Sequence, residues 1–172
     1  MSEIPPVIIN LDDCPKKKSI LIGSAVSFVL TINPMTVGLC CMPLIIGGLV
    51  SVFHYTKSFG VSISIVEGLK LGIFSCLLGL GASYVLYDFL WLVFDYQIGM
   101  ETYLNFVESI VEKMGPEVAE TYRKSMELSD PTKFTLMSLV SQIFSVAVSG
   151  AGGGSIGGLL GAAIFKKGPL AQ

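Results

Sequence analysis

Four apolar stretches that are almost free of ionisable residues divide this chain of 172 residues, and lysines gather at their edges. The last stretch, Phe134–Phe165, runs for 32 residues without a charge. Hydrophobic residues make up 52% of the chain and charged residues only 14%, so the composition excludes both a disordered chain and an ordinary soluble domain. The layout predicts an all-α integral membrane protein with four transmembrane segments.

The lengths of the first two segments leave their depth in the membrane open. The predicted segments are 20–32, 36–53, 65–94 and a glycine-rich fourth within 132–167. Thirteen residues of helix span about 20 Å, less than the hydrocarbon core of roughly 30 Å, and Pro43 interrupts the second segment early. The first two segments therefore form a helical hairpin that either crosses a locally thin bilayer or is re-entrant.

Residues 99–131 differ from the apolar segments because seven of the 13 acidic residues lie between Glu101 and Asp130. Apolar residues recur there at three- and four-residue steps, which describes one face of a helix, at Tyr103, Phe106, Val107, Ile110 and Met114. Gly115 and Pro116 separate this helix from a second one. The sequence thus predicts an external pair of amphipathic, acidic helices between the third and fourth membrane segments.

The basic residues predict an orientation. Lys16–Lys18, Lys57 and Lys166–Lys167 flank the apolar segments, and Lys- and Arg-rich flanks of membrane segments stay in the cytoplasm. We therefore expect the polar arm of residues 1–18 and the tail of residues 168–172 on the cytoplasmic side, with the acidic pair facing outward.

Small residues line the predicted helices at regular steps. The glycines predicted to pack helices are Gly68, Gly72 and Gly79 on the third segment, and two rows on the fourth, Gly150, Gly154 and Gly158 beside Gly153, Gly157 and Gly161. In lipid, glycine lets helices approach closely, and close packing drives their association. We interpret the rows as packing within one bundle. Packing against a second copy or another membrane protein, and a hinge in the last helix, are the alternatives.

Three ionisable residues within the apolar stretches are candidate sites, since charges in membrane segments are often functional. Glu67 and Lys70 lie three residues apart, so they can pair on one helix face, and Ser64 with Glu67 predicts a capping box. Asp88 follows Lys70 by 18 residues, about 27 Å along a helix. We expect boundary roles for all three; a proton or cation site is the alternative.

Catalytic chemistry has no support in the sequence. It contains no Ser/His/Asp arrangement, no paired catalytic carboxylates and no HExxH motif, and the single histidine, His54, lies at a predicted helix end. The four cysteines lack the spacing of metal ligands. With a net charge of −2 and no basic stripe, a nucleic-acid partner is not expected. The sequence therefore predicts a protein that is not an enzyme and needs no metal or other cofactor.

Several motifs carry a resemblance to a known family. The second segment contains Leu39-Cys40-Cys41-Met42-Pro43-Leu44-Ile45-Ile46-Gly47-Gly48-Leu49, and the last one ends in Gly157-Gly158-Leu159-Leu160-Gly161-Ala162-Ala163-Ile164-Phe165-Lys166-Lys167. With Glu67-Gly68 and Pro116-Glu117-Val118, these motifs resemble a family of small four-helix bacterial inner-membrane proteins of unknown function. The resemblance spans about residues 19–167 and departs from the pattern at Asn33-Pro34-Met35-Thr36. It implies a multi-pass protein of the bacterial inner membrane and no catalytic residues.

Three functional hypotheses follow. The leading one is a structural or accessory subunit that contacts the lipid bilayer and packs with partner or sister helices. The second is a small transporter or channel that uses Asp88 and the Glu67–Lys70 pair. The third is a lipid-interacting protein that acts through residues 99–131.

Overall fold

The structure, a computed structural model, describes residues 15–33, 41–96, 99–128 and 136–165, and it is all-α over those residues. These ranges contain six helices: α1 (Lys17–Ile32), α2 (Met42–Phe59), α3 (Ile65–Phe94), α4 (Met100–Met114), α5 (Pro116–Leu128) and α6 (Leu136–Ile164). This confirms the predicted all-α fold. Helix α3 has the bounds of the predicted third segment, and Gly115 separates α4 from α5.

Four of the helices form a bundle. In the described part of the chain, α2 and α3 contact each other and both α1 and α6, while α1 and α6 do not touch. Helices α4 and α5 contact only each other there. The predicted external pair is therefore a helical hairpin that stands apart from the bundle.

Side-chain contacts show which helix ends lie together. Lys16 pairs with Glu67, which joins the start of α1 to the start of α3. The rings of Phe53 and Phe165 are 5.0 Å apart, which joins the end of α2 to the end of α6. The Ser19 hydroxyl lies 3.0 Å from the Nδ1 of His54, which joins the start of α1 to the end of α2. All four helix ends therefore lie together, and we call this end of the bundle the lysine end and the opposite one the far end. Neighbouring helices in the chain order α1, α2, α3, α6 thus run in alternating directions.

Only α3 and α6, among the described helices, combine the length and the apolar composition of a membrane-spanning helix. They contain 30 and 29 residues, whereas α1 and α2 contain 16 and 18. The structure therefore supports two candidate spans directly, and the prediction of four remains a proposal.

The second segment begins later than predicted. Helix α2 starts at Met42 and places Pro43 in its first turn, where the missing N–H of proline breaks no helical hydrogen bond. It continues past the predicted boundary at residue 53 to Phe59, where Gly60 ends it with a left-handed φ of 64°. Residues 34–40, which connect the predicted hairpin, lie outside the described residues. So do residues 1–14, 97–98, 129–135 and 166–172, including Lys166–Lys167.

Candidate functional site

The two glycine rows of α6 contact two different helices of the same chain. A β-carbon added to Gly154 would lie 2.8 Å from the Cα of Ile73, and one added to Gly150 would lie 2.9 Å from Leu77, so the first row faces α3. In the second row, a β-carbon on Gly153 would lie 2.6 Å from the Cβ of Leu44 on α2. The remaining members follow the same division: Gly158 lies against Gly68, Gly157 against Ile45 and Gly161 against Val52.

The three predicted glycines of α3 also divide between two partners. A β-carbon on Gly68 would meet the Cβ of Ala162 at 2.7 Å, and one on Gly72 would meet Gly154 and Gly158, so both glycines face α6. Gly79 instead faces α1, where a β-carbon would lie 2.6 Å from the Cβ of Ser27. All nine predicted packing glycines therefore lie at contacts between helices of one chain.

Gly47 and Gly48 extend the same packing to α2, although they were not among the predicted packing glycines. Gly47 lies against Ser27 of α1, and a β-carbon on Gly48 would lie 3.1 Å from the carbonyl oxygen of Gly154. Since the two are adjacent in the sequence, they point in different directions around α2. The one sequence feature that could have pointed to them is their position as a Gly-Gly pair in the Leu39–Leu49 motif.

Small polar side chains line much of the described bundle interior. Five of the described serines are at most 1% exposed: Ser19, Ser27, Ser51, Ser75 and Ser83. The hydroxyls of Ser75 and Ser83 donate to backbone carbonyls one turn earlier, at 2.7 and 3.0 Å, and the thiol of Cys76 donates to the carbonyl of Leu44 at 2.9 Å. Two apolar clusters close the ends of this interior, one around Tyr55 and Leu71 and one around Leu80.

The outer faces of the same helices are large and apolar. Val85 is 70% exposed and Leu136 is 79% exposed. The other exposed apolar side chains include Leu21 and Val29 on α1, Phe74, Leu78 and Phe89 on α3, and Val140, Ile143, Phe144 and Val148 on α6. An exposed apolar surface of this extent marks contact with lipid or with another protein, and small residues inside with large ones outside is the arrangement that packs helices in a membrane.

At the lysine end, Glu67 lies between two lysines. Its carboxylate accepts a hydrogen bond from Lys70 at 2.8 Å, as the sequence predicted, and it also pairs with Lys16. The backbone N–H of Glu67 donates to the hydroxyl of Ser64, which confirms Ser64 as the N-cap of α3. The Glu67 side chain is only 12% exposed, so the carboxylate lies at the α1–α3 contact and compensates two cations. Lys16 was not predicted as a partner, because it lies 51 residues from Glu67 in the sequence.

His54 connects two helices at the same end. Its Nδ1 lies 3.0 Å from the hydroxyl of Ser19 on α1, and its Nε2 lies 3.4 Å from the hydroxyl of Ser58 one turn further along α2. The ring therefore links the start of α1 to the end of α2.

At the far end, the side chain of Asp88 on α3 contacts α6. Its Oδ1 accepts a hydrogen bond of 3.1 Å from the side-chain amide of Gln142, and both residues are half-buried. The neighbouring Tyr87 donates its hydroxyl to the carbonyl of Thr31 at 3.0 Å, which ties α3 to the end of α1. Asp88 and the Glu67–Lys70 pair thus occupy opposite ends of the bundle, and the structure does not bring them together. The transporter hypothesis stays a prediction.

The α4–α5 hairpin exposes a continuous apolar face. Val111 is its one buried large apolar side chain among the described residues. Four others are more than 40% exposed: Phe106, Ile110, Met114 and Val118. Lys124 and Glu120 pair at 3.0 Å on α5 with both side chains about 70% exposed. The hairpin is therefore amphipathic as predicted, and its apolar face is uncovered.

No three His, Cys, Asp or Glu side chains in the described ranges come close enough to hold a metal ion. Comparison of the chain with protein-family models, with curated proteins and with solved structures finds no match. The family resemblance of the sequence motifs therefore remains a resemblance.

Proposed function

We propose that this protein is a multi-pass integral membrane protein of structural kind, an accessory subunit that is not an enzyme. The observation that carries the proposal is the distribution of residue sizes, with glycine and serine inside the bundle and large apolar side chains outside. In water such a bundle would bury little apolar surface and expose much of it. In lipid the outer surface costs nothing, and close backbone contact supplies the attraction between helices.

We propose that all four bundle helices lie within the membrane. Helices α1 and α2 would reach about 24 and 27 Å at 1.5 Å per residue, slightly less than a hydrocarbon core of roughly 30 Å. Both pack along α3, and Leu21 and Val29 expose apolar side chains on the outer face of α1. A helix that packs along a spanning helix and presents apolar residues outward shares its depth, and local thinning of the bilayer accommodates a short span.

The proposed location is the bacterial inner membrane, with both chain termini in the cytoplasm. The start of α1 and the end of α6 lie at the same end of the bundle, and that end carries Lys16, Lys17, Lys18, Lys57 and Lys70. The positive-inside rule assigns this end to the cytoplasm. The α4–α5 hairpin follows the far end of α3 and therefore faces outward.

Partners would bind surfaces other than the glycine rows. Since those rows contact α2 and α3 of the same chain, they leave no space for a helix of another molecule. The outer apolar faces and the α4–α5 hairpin remain available. We propose the exposed face around Ile110 and Met114 as the contact to a partner protein, because no helix of this chain covers it in the described residues.

Topology is tested with reporters at two positions. A fluorescent protein fused after Gln172 should fluoresce, and alkaline phosphatase inserted at Gly115, in the turn between α4 and α5, should be active. The fluorescent protein folds in the cytoplasm, whereas the phosphatase needs the oxidising space outside it. An active phosphatase at Gln172 would contradict the orientation, and recovery of the chain in the aqueous fraction after alkaline extraction would contradict membrane integration.

The accessory role is tested by purification at native expression in mild detergent, followed by native mass measurement. A stoichiometric partner should be retained by a Glu112→Gln control and lost by the double variant Ile110→Asp, Met114→Asp, which changes an exposed face without touching the bundle. A mass equal to one chain with bound lipid would argue against a subunit role.

A second candidate function is membrane-surface binding through the hairpin itself. The exposed apolar face and the charged opposite face of α4–α5 are the features of a helix that lies in the lipid interface. Here the same face would insert into the outer leaflet of the membrane rather than contact a protein.

A further inference from the structure

A cleft of about 320 Å³ lies at the lysine end, between the end of α2 and the end of α6. Phe53, Thr56, Lys57 and Phe165 line it. The two phenylalanine rings are 5.0 Å apart, and the Nζ of Lys57 lies 5.5 Å from the centroid of the Phe53 ring. The cleft therefore combines an aromatic wall with one cation at its edge.

The charge around this cleft favours an anion. Among the described residues, the lysine end carries five lysines and a single acidic residue, Glu67. Glu67 already pairs with Lys16 and Lys70. No described carboxylate pairs with Lys57, so its charge is available to a ligand.

The apolar wall favours a lipid over a free anion. The cleft is at the lower limit of the roughly 300–1,000 Å³ typical of small-molecule sites, enough for a headgroup but not for a whole lipid. Ile46 lies seven residues before Phe53, hence on the same face of α2, and both are 41% exposed. An acyl chain can therefore extend from the cleft along α2 towards the middle of the membrane, whereas an inorganic anion would leave the aromatic rings uncovered.

We propose that this cleft binds an anionic phospholipid, with the phosphate at Lys57 and the start of an acyl chain against Phe53 and Phe165. The proposal rests on the proposed membrane location and adds a specific lipid site to it. Basic residues at the cytoplasmic ends of membrane helices attract anionic headgroups, and an aromatic surface beside them selects the site along the helix.

Quenching of tryptophan fluorescence by brominated lipids tests the site in the full-length chain. Trp91 is the only tryptophan, so the variant Trp91→Phe, Phe165→Trp places a single reporter in the cleft, and Trp91→Phe, Phe53→Trp is a second reporter if the first misfolds. The chain is reconstituted in phosphatidylcholine vesicles that contain the same fraction of either brominated phosphatidylglycerol or brominated phosphatidylcholine. The unmodified chain, with Trp91 in the second half of α3 towards the far end, is the reference for lipids that bind without selectivity.

The cleft reporter should be quenched more strongly by the anionic lipid, while Trp91 should be quenched equally by both. Adding Lys57→Gln should lower the preference for the anionic lipid about fivefold. This corresponds to the loss of about 1 kcal/mol, the attraction of one lysine to an anionic surface. Lys124→Gln on the exposed face of α5 should leave it unchanged, and excess inorganic phosphate should not compete. Equal quenching by the two lipids, or a preference that survives Lys57→Gln, would overturn the lipid site alone. If neither lipid quenches the cleft reporter or Trp91, the membrane location is overturned as well.

Discussion

Gly72 of α3 and Gly158 of α6 pack backbone against backbone: a β-carbon added to Gly72 would lie 2.8 Å from the Cα of Gly158. Real β-carbons do not approach other heavy atoms this closely, so any side chain at position 72 forces the two helices apart. Gly154 and Gly68 continue the same contact to either side. The α3–α6 contact is therefore the structural feature most sensitive to small changes in side-chain volume.

Replacing Gly72 or Gly158 by alanine should destabilise the bundle. Each substitution adds one methyl group at a site without space, and overpacking of this kind costs about 1–3 kcal/mol. Titration of the detergent-solubilised protein with sodium dodecyl sulfate, followed by circular dichroism, measures the change in the free energy of unfolding.

Gly81 on α3 and Gly152 on α6 provide matched controls on the same two helices. A β-carbon at either position meets no atom within 4 Å. Alanine there should stabilise the protein by about 0.5–1 kcal/mol, because it favours the helix more than glycine does. The sign of the effect should thus reverse between the two pairs of positions, and the same sign at all four would contradict the packing described.

Ser51→Ala should be neutral or stabilising. The Ser51 side chain is fully buried, and its hydroxyl oxygen is the one buried side-chain oxygen or nitrogen, among those the structure describes, that has no hydrogen-bond partner. A buried polar group without a partner costs about 1–3 kcal/mol, and alanine removes that group. Ser75→Ala is the comparison, because its hydroxyl donates to the Leu71 carbonyl and its loss should cost about 0.5–1.5 kcal/mol. Equal destabilisation by both variants would show that Ser51 has a partner.

Local sequence patterns predicted that each described helix exists, although they misplaced both ends of α2. The predicted segment 65–94 coincides with α3 because Ser64 caps its start and an uninterrupted apolar run follows. The glycine rows were visible because residues three and four apart share a helix face. The acidic hairpin was predicted from its apolar steps and from Gly115.

Those local patterns do not predict contacts between distant segments of the chain. Glu67 predicts a partner at Lys70, one turn away, but its pairing with Lys16 spans 51 residues and depends on how α1 packs against α3. The same holds for the division of the glycine rows, since each row looks alike in the sequence and only the position of α2 decides which one contacts Leu44. The hydrogen bond from Gln142 to Asp88 likewise joins residues 54 apart.

Glu67→Gln should destabilise the lysine end. The substitution leaves Lys16 and Lys70 without their carboxylate at a site where the Glu67 side chain is 12% exposed. Exposed ion pairs contribute 0–1 kcal/mol and the loss of one partner from a buried pair costs 3–5 kcal/mol, so we expect about 1–2 kcal/mol in the unfolding titration. Glu120→Gln is the control, because its pair with Lys124 is about 70% exposed on both sides and its removal should change little. Equal effects of the two variants would indicate that the Glu67 contacts are not specific.

Tryptophan placed on α4 should distinguish a hairpin that lies in the lipid interface from one that stands in water or contacts a protein. Phe106 is 43% exposed on the apolar face, whereas Glu112 is exposed on a different face of the same helix. In a Trp91→Phe background and in vesicles with brominated lipid, a hairpin that lies in the lipid interface should give a Phe106→Trp reporter that is quenched and emits at shorter wavelength, because the apolar face of an interfacial helix is buried about 5–10 Å into the headgroup region. Glu112→Trp should remain unquenched. If neither reporter is quenched, membrane-surface binding is rejected and the exposed face around Ile110 and Met114 is left to a protein partner. If both are quenched equally, α4 enters the membrane without the orientation that its sequence predicts.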